Sequence, residues 1–214
     1  LSGTTGVVLD PIVSLRQRIR VSPGGFVRLC FATGAASDRA TAEALAQKYH
    51  DPSAAARTFA LAVTHAESAC RHLGISQDEA LLFERLASRV LGTDGSLRAG
   101  AQAVASNELG QSGLWPHGIS GDLPILLVLV GADREIPLVR QVLQAQEYWR
   151  LKGLAVDLVI WNEDRGGYRQ VLQDQIMGLI AAGIEAHVMD RPGGIFVRRA
   201  EQIAEEDRIL LQSV

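Results

Sequence analysis

Three groups of residues in this 214-residue chain have types and spacing that could do chemistry. The first is Trp115, His117 and Asp122, on the glycine-rich stretch Gly110 to Asp122. An indole face can cover the apolar face of a sugar ring, while an imidazole and a carboxylate bond its hydroxyls. A packing role competes, with Trp115 plugging a core, the glycines allowing tight turns and Asp122 bonding local backbone. The second group lies at the ends of predicted strands: Gly131-Ala132-Asp133, Asn162-Glu163-Asp164-Arg165 and Asp190-Arg191. Open α/β sheets bind ligands at such ends, where the strand order reverses. Asn162 and Glu163 are the candidates there, against the plainer roles of helix capping and solvation. The third group is Glu205-Glu206-Asp207. Neighbouring acids on one helix cannot face one sugar together, so they read as a solvated helix face.

Other chemistries are disfavoured. His65 and His72 stand seven apart on one predicted helix, the five histidines are scattered, and no short-spaced second ligand joins them. A metal site needs three or four convergent ligands, so none is expected. Cys70 falls in an apolar stripe, where a buried thiol acts as a small hydrophobe, and Cys30 falls in a predicted strand. No G-x-G-x-x-G follows a strand and no G-x-x-x-x-G-K-[ST] is present, so no cofactor is expected. Arg16, Arg18 and Arg20 alternate imperfectly with Leu15, Ile19 and Val21 and read as a polar sheet face rather than the lining of an anionic groove. A net charge of −3 and 5% aromatic residues leave no footprint for nucleic acid. Two cysteines cannot build a disulfide framework, which points to a reducing, cytoplasmic setting.

Composition bounds the object. At 47% hydrophobic and 21% charged residues the chain is globular rather than disordered. Its longest apolar run, Ile125 to Val130, is far short of the roughly 20 residues that span a bilayer. A soluble fragment with no direct membrane contact is expected. The chain starts at Leu1 with no signal peptide as it stands, and reads as a piece of something larger.

The elements that must position these residues fall into three stretches. Residues 1–36 read as β strands that complete a sandwich or pack on the body. Val7, Val8, Leu9 and Ile12 stand near Asp10-Pro11, and Ser22-Pro23-Gly24-Gly25 is a turn between strand-like runs, so a hairpin is expected. Residues 37–109 read as helical. Asp51-Pro52 opens a helix whose inner face is Ala56, Phe59, Ala60, Val63, Ala66, Cys70 and Leu73, with Gly74 as its stop. Ser76-Gln77-Asp78-Glu79 has capping-box spacing, ahead of an inner stripe of Leu82, Phe83, Leu86 and Val90. Ala42, Leu45, Ala46 and Tyr49 make a smaller stripe upstream.

Residues 110–214 read as α/β. Strands are expected at Ile125 to Val130, Leu154 to Trp161, Ile184 to Met189 and Ile195 to Arg198. Helices are expected between them, one capped by Asp133 with Leu138, Val139, Val142, Leu143 and Trp149 inward, the next over Gly167 to Ala182. Strand alternating with helix predicts a mainly parallel βαβαβ sheet with flanking helices.

Several ordered stretches carry a resemblance: Val8-Leu9-Asp10-Pro11-Ile12-Val13-Ser14-Leu15-Arg16, Lys48-Tyr49-His50-Asp51-Pro52, Gly110 to Trp115, Gly118-Ile119-Ser120-Gly121-Asp122-Leu123-Pro124, Tyr148 to Leu154, Val156 to Ile160 and Asp190-Arg191-Pro192-Gly193-Gly194. Together they resemble the bacterial cyclic β-1,2-glucan synthases. Those are very large inner-membrane proteins that join a glycosyltransferase part to a region similar to cellobiose-phosphorylase-type glycoside phosphorylases. The resemblance places this stretch between two carbohydrate-binding β-sandwich regions, with residues 1–33 closing the first. The sugar-nucleotide motifs of the transferase and the motif of the phosphorylase's catalytic aspartate are absent, so no catalytic residue is assigned. The expectation is a non-catalytic scaffold segment on the cytoplasmic side of an inner-membrane-anchored parent. Its partners would be other domains of that parent and, through the Trp115 loop, β-glucan. Two alternatives stand beside it: an independent α/β enzyme working at the strand ends, and a pure protein-interaction module.

Overall fold

The apolar run Ile125–Val130 is a strand, β1, with the bounds its composition sets. In the computed structural model of the chain it is joined by β2 (Asp157–Asn162) and β3 (Ile195–Arg199). Residues 7, 12, 14–92, 95–164, 171–183 and 186–213 are described. Among them the helices are α1 (Arg39–Tyr49), α2 (Pro52–Leu73), α3 (Gln77–Leu91), α4 (Ala101–Ser106), α5 (Ile136–Leu151), α6 (Val171–Ala182) and α7 (Glu205–Ser213). The chain divides into two compact units, Leu1–Leu61 and Ala62–Val214.

The second unit holds the sheet. All strands are parallel in the order β1-β2-β3, with Leu127 opposite Val159 and Val159 opposite Phe196. Helix α5 links β1 to β2, and α6 links β2 to β3. Two crossovers of one hand between strands in sequential order put both helices on the same face. Val139 and Val142 of α5 and Leu172, Ile176 and Ile180 of α6 accordingly pack on Val128, Leu158, Ile160 and Ile195. The opposite face, with Val159, Trp161 and Phe196, is covered by Leu114, Ile119 and the α7 residues Leu210 and Leu211. Covered on both sides, β2 is buried at every residue, which is why its sequence lacks in–out alternation.

A third cluster joins the end of α2, α3 and α5 through Cys70, Phe83, Tyr148 and Trp149. Trp149 Nε1 donates to the Phe83 carbonyl at 2.8 Å, and the Tyr148 hydroxyl donates to Glu84 Oε1 at 2.7 Å. Burial, reinforced by the Glu84 carboxylate, pushes the Tyr148 hydroxyl pKa far up.

Local chemistry starts and stops these helices. Asp51 accepts the Ser53 N–H at 2.9 Å ahead of Pro52, and the Ser53 hydrogen bonds hold its carboxyl below the usual range. Gly74, at φ 64°, ends α2. Ser76 and Glu79 form the expected capping box, with bonds of 3.2 and 2.7 Å to each other's backbone N–H. Ahead of α5 the acid that captures free N–H groups is Glu135 rather than Asp133, accepting from Gly131 at 2.7 Å and Ala132 at 3.3 Å.

In the first unit Asp38 caps α1, accepting the Thr41 N–H at 2.9 Å. The turn at Ser22–Gly25 is present, with Gly25 N–H donating to the Ser22 carbonyl at 2.9 Å. The hairpin around it is not: the described residues before α1 form no strand, and Leu15, Ile19, Phe26 and Phe31 are exposed. Two strands alone offer too little face to bury. Val8, Leu9, Asp10 and Pro11 lie outside the described residues. The α1 stripe has no buried member, and Phe59 is also exposed.

Other expectations need correction in the second unit. Val63, Leu82 and Leu138 are exposed rather than inward, since only the last turns of α2 and one face each of α3 and α5 meet a partner layer. The expected strand from Ile184 to Met189 is a 3₁₀ turn over Ala186–Val188, followed by a single bridge from Met189 to Ile195. The chain turns back there through Asp190, at φ 52°, and Gly193, at φ 71°, leaving no length for a ladder. The expected fourth strand is therefore the third. Ile184 and Glu185, and the expected helix start from Gly167 to Gln170 with Arg165 before it, lie outside the described residues.

Candidate functional site

Gln111–His117 winds as a 3₁₀ helix that ends at Gly118, at φ 75°. Three residues per turn set adjacent side chains about 120° apart. Leu114 therefore points into the sheet while Trp115 points out, with 64% of its surface exposed. The core is plugged by Leu114 and Ile119, not by the tryptophan. The indole is nonetheless held: Trp115 Nε1 donates to the Ser120 carbonyl at 3.3 Å. Gln111 Nε2 donates to the same carbonyl at 2.9 Å and to Asp122 Oδ1 at 3.0 Å. The Asp122 N–H donates to Ser120 Oγ at 3.1 Å, so Asp122 closes the loop on itself.

His117 turns away from Trp115's solvent face. Its side chain is 11% exposed, and Nε2 lies 3.2 Å from Asp207 Oδ2 on α7. Its carbonyl accepts Arg198 Nε at 3.1 Å and also Arg198 Nη2. Arg198 in turn lies 2.8 Å from the Asp190 carboxylate.

The strand-end candidates are committed in the same way. Asn162 donates to Gln173 Oε1 at 3.0 Å and accepts the Asp164 N–H at 2.9 Å. Glu163 continues the β1–β2 ladder through its N–H, 2.7 Å from the Val130 carbonyl, and its carboxylate lies 3.5 Å from Arg208. Arg208 also stands over the Trp161 ring, 5.5 Å from its centre. The neighbours Asp207 and Arg208 thus pin α7 to two loops at once. The acidic run expected to be a solvated face supplies one of these pins.

The structure does not gather the five residues into one site. Asp122 acts on Asp157 at the entry end of β2, while Asn162 and Glu163 sit at its exit, about 17 Å along the strand. Nor is there a topological switch point among the described strands, because their order follows the chain. Among the described residues no three His, Cys, Asp or Glu side chains come together as a metal site.

A buried polar knot escapes the sequence reading. Asp157 is fully buried, and its Oδ1 accepts the Gly193 N–H at 2.6 Å. Gln146, buried on α5, donates from Nε2 to the carbonyls of Gly193 at 3.1 Å and Gly194 at 2.8 Å. The available signal was a carboxylate opening a wholly apolar run and a glutamine on the inner stripe of α5. Burial raises the Asp157 pKa; the Gly193 hydrogen bond opposes this and the Asp122 charge adds to it. A raised folded-state pKa means the folded protein holds the proton more tightly than the unfolded chain. The resulting stability is fully present below the unfolded value and is lost as pH rises through the folded one. Asp157→Asn removes the titration and keeps an acceptor for Gly193. The stability of the natural protein relative to this variant should therefore be greatest in acid and fall as pH rises above the ordinary carboxylate range, about pH 4. Paired urea titrations check this, and a difference independent of pH would refute it.

Comparison with known proteins gives two matches. The profile of the glycosyl hydrolase 94 supersandwich domain matches residues 1–52. A curated relative, the cyclic beta-(1,2)-glucan synthase NdvB of Rhizobium meliloti (strain 1021), is 40% identical over 173 residues. That stretch is 81% of this chain but 6% of the relative, so the chain spans only a small fraction of that protein's length.

Proposed function

We propose, from the premise that this chain is similar along most of its length to one segment of a cyclic β-(1,2)-glucan synthase, that it is a non-catalytic scaffold segment with a carbohydrate contact at Trp115. Its α/β unit would orient neighbouring sandwich and catalytic regions. Residues 1–36 would supply strands to a sandwich whose other strands lie elsewhere in a longer polypeptide, in line with the supersandwich match over residues 1–52.

The observation that carries this reading is the contrast between Trp115 and the polar candidates. Asp122, Asn162 and Glu163 each have a partner within the chain, and His117 Nε2 is buried 3.2 Å from Asp207 Oδ2 on α7. A general acid or base must reach a substrate proton, and these groups are held by structural partners instead. The Trp115 ring is exposed on a short 3₁₀ helix with its N–H engaged. An oriented aromatic face of this kind suits the apolar face of a glucose ring. No helix among the described residues is long and apolar enough to cross a membrane, so an anchor would come from other parts of a synthase.

NMR titration of the chain with linear and cyclic β-1,2-glucans tests the contact. Shifts should cluster on Trp115 and its loop. Trp115→Ala should weaken binding roughly fivefold, as ~1 kcal/mol of ring contact implies. Its effect on stability should stay within about 0.5 kcal/mol, because the side chain is exposed. No shifts at millimolar glucan would sink the contact. Turnover of glucosides or glucose 1-phosphate that Asn162→Ala or Glu163→Ala abolishes would replace the scaffold reading with an enzymatic one.

A further inference from the structure

The β1 edge of the sheet is open. Strand β1 pairs only with β2 among the described residues. The ladder is bounded by Asp157 N–H donating to the Pro124 carbonyl at 2.9 Å and Glu163 N–H donating to the Val130 carbonyl at 2.7 Å. In a parallel pair every second residue of a strand turns both backbone groups to the same neighbour. Leu126 and Val128 therefore serve β2, and Ile125, Leu127 and Leu129 turn their N–H and C=O groups outward. Those three residues line a groove of about 870 Å³ together with Leu97, Val104 and the Leu210 to Ser213 turn of α7.

We propose that this groove receives an extended polypeptide segment as a fourth strand on β1, contributed by the rest of a synthase-length chain. The outward groups repeat every two residues, about 6.6 Å, which is the spacing an added strand satisfies. The six residues of β1 offer about 20 Å of such edge. A glucan fits the groove poorly, because none of its lining residues is aromatic and a sugar ring finds no stacking face. The described residues supply three strands, below the commonest sheet size of about four to six. The matched stretch is 6% of the relative's length, so flanking chain is plentiful in a protein of that kind. The inference rests on the scaffold reading only in supposing a longer polypeptide.

Residue-resolved hydrogen exchange tests it, on this chain alone and on the chain continued to synthase length. In the chain alone the amides of Ile125, Leu127 and Leu129 should exchange at least ~100-fold faster than those of Leu126 and Val128. In the longer polypeptide the two sets should agree within about tenfold. Leu127→Pro removes one outward N–H and leaves the β1–β2 ladder intact. It should restore fast exchange at Ile125 and Leu129 in the longer polypeptide. If that variant does not fold, Leu129→Lys, at a position 43% exposed, places a charge on the same edge and should act likewise. Fast outward amides in both settings would overturn the proposal. So would slow ones in the chain alone, and protection that grows with its concentration would assign the edge to a second copy. Glucan binding at Trp115, read on the same samples, can fail without touching this result.

Discussion

Gly194→Ala is expected to cost about 3–4 kcal/mol of stability, enough to unfold a marginal domain. A Cβ at this position would stand 2.0 Å from the Val188 carbonyl oxygen and 2.8 Å from that of Arg191. Both obstacles are backbone, so no side-chain rotation relieves them. The Gly194 carbonyl is also an anchor, accepting Leu158 N–H at 2.9 Å and Gln146 Nε2 at 2.8 Å. If the turn moves, it strips partners from a buried glutamine and disturbs the Asp157–Gly193 bond beside it. Urea unfolding followed by circular dichroism measures the effect. An unchanged midpoint would mean that the Asp190–Gly194 turn has room this geometry denies it.

The second large effect is at Trp149, where replacement by alanine should cost about 3–5 kcal/mol. The ring is almost fully buried and ties α5 to α3 through the Phe83 carbonyl. Its cluster, with Cys70, Ile75 and Phe83, meets the cluster on the α5–α6 face of the sheet through Leu126 and is otherwise distinct from the two that cover the sheet faces. The loss should therefore be local first, with amides of α3 exchanging before those of β2. Trp149→Phe keeps much of the volume and gives up the hydrogen bond, so it should cost about 1–2 kcal/mol. If both variants released α3 and β2 together, α3 would belong to the same cooperative unit as the sheet.

These two positions differ in how well the sequence announces them. Trp149 stands on a helical stripe with Val142 and is read as core from spacing alone. Gly194 stands in a run that resembles a known family, but nothing in Arg191-Pro192-Gly193-Gly194 tells which glycine is crowded. That depends on Val188 returning across the turn, a contact between chain positions whose spacing carries no period.

The candidate site shows the same division. The loop from Gly110 to Asp122 stands out by its glycines, its tryptophan and its lack of period. Its inward and outward sides follow from 3₁₀ winding, which composition does not indicate, and so Leu114 rather than Trp115 fills the core. His117 and Glu163 look available as isolated polar residues. Their partners, Asp207 and Arg208, are 90 and 45 positions away and meet them only once α7 lies on the sheet.

By itself the sequence determined the α/β class, the bounds of β1, the caps at Asp51 and Ser76, the stop at Gly74, and the resemblance to a glucan synthase segment. All of these rest on nearest-neighbour chemistry, on periodicity along one element, or on ordered motifs. Among the described residues, tertiary structure alone decided the strand count, the absence of a paired hairpin before α1, the meeting of His117 and Glu163 with α7, and the open edge of β1. Each of these depends on which surfaces meet across long sequence separations. Burial and pairing energies there exceed the local propensities that a sequence displays, so those outcomes are set by the packed layers.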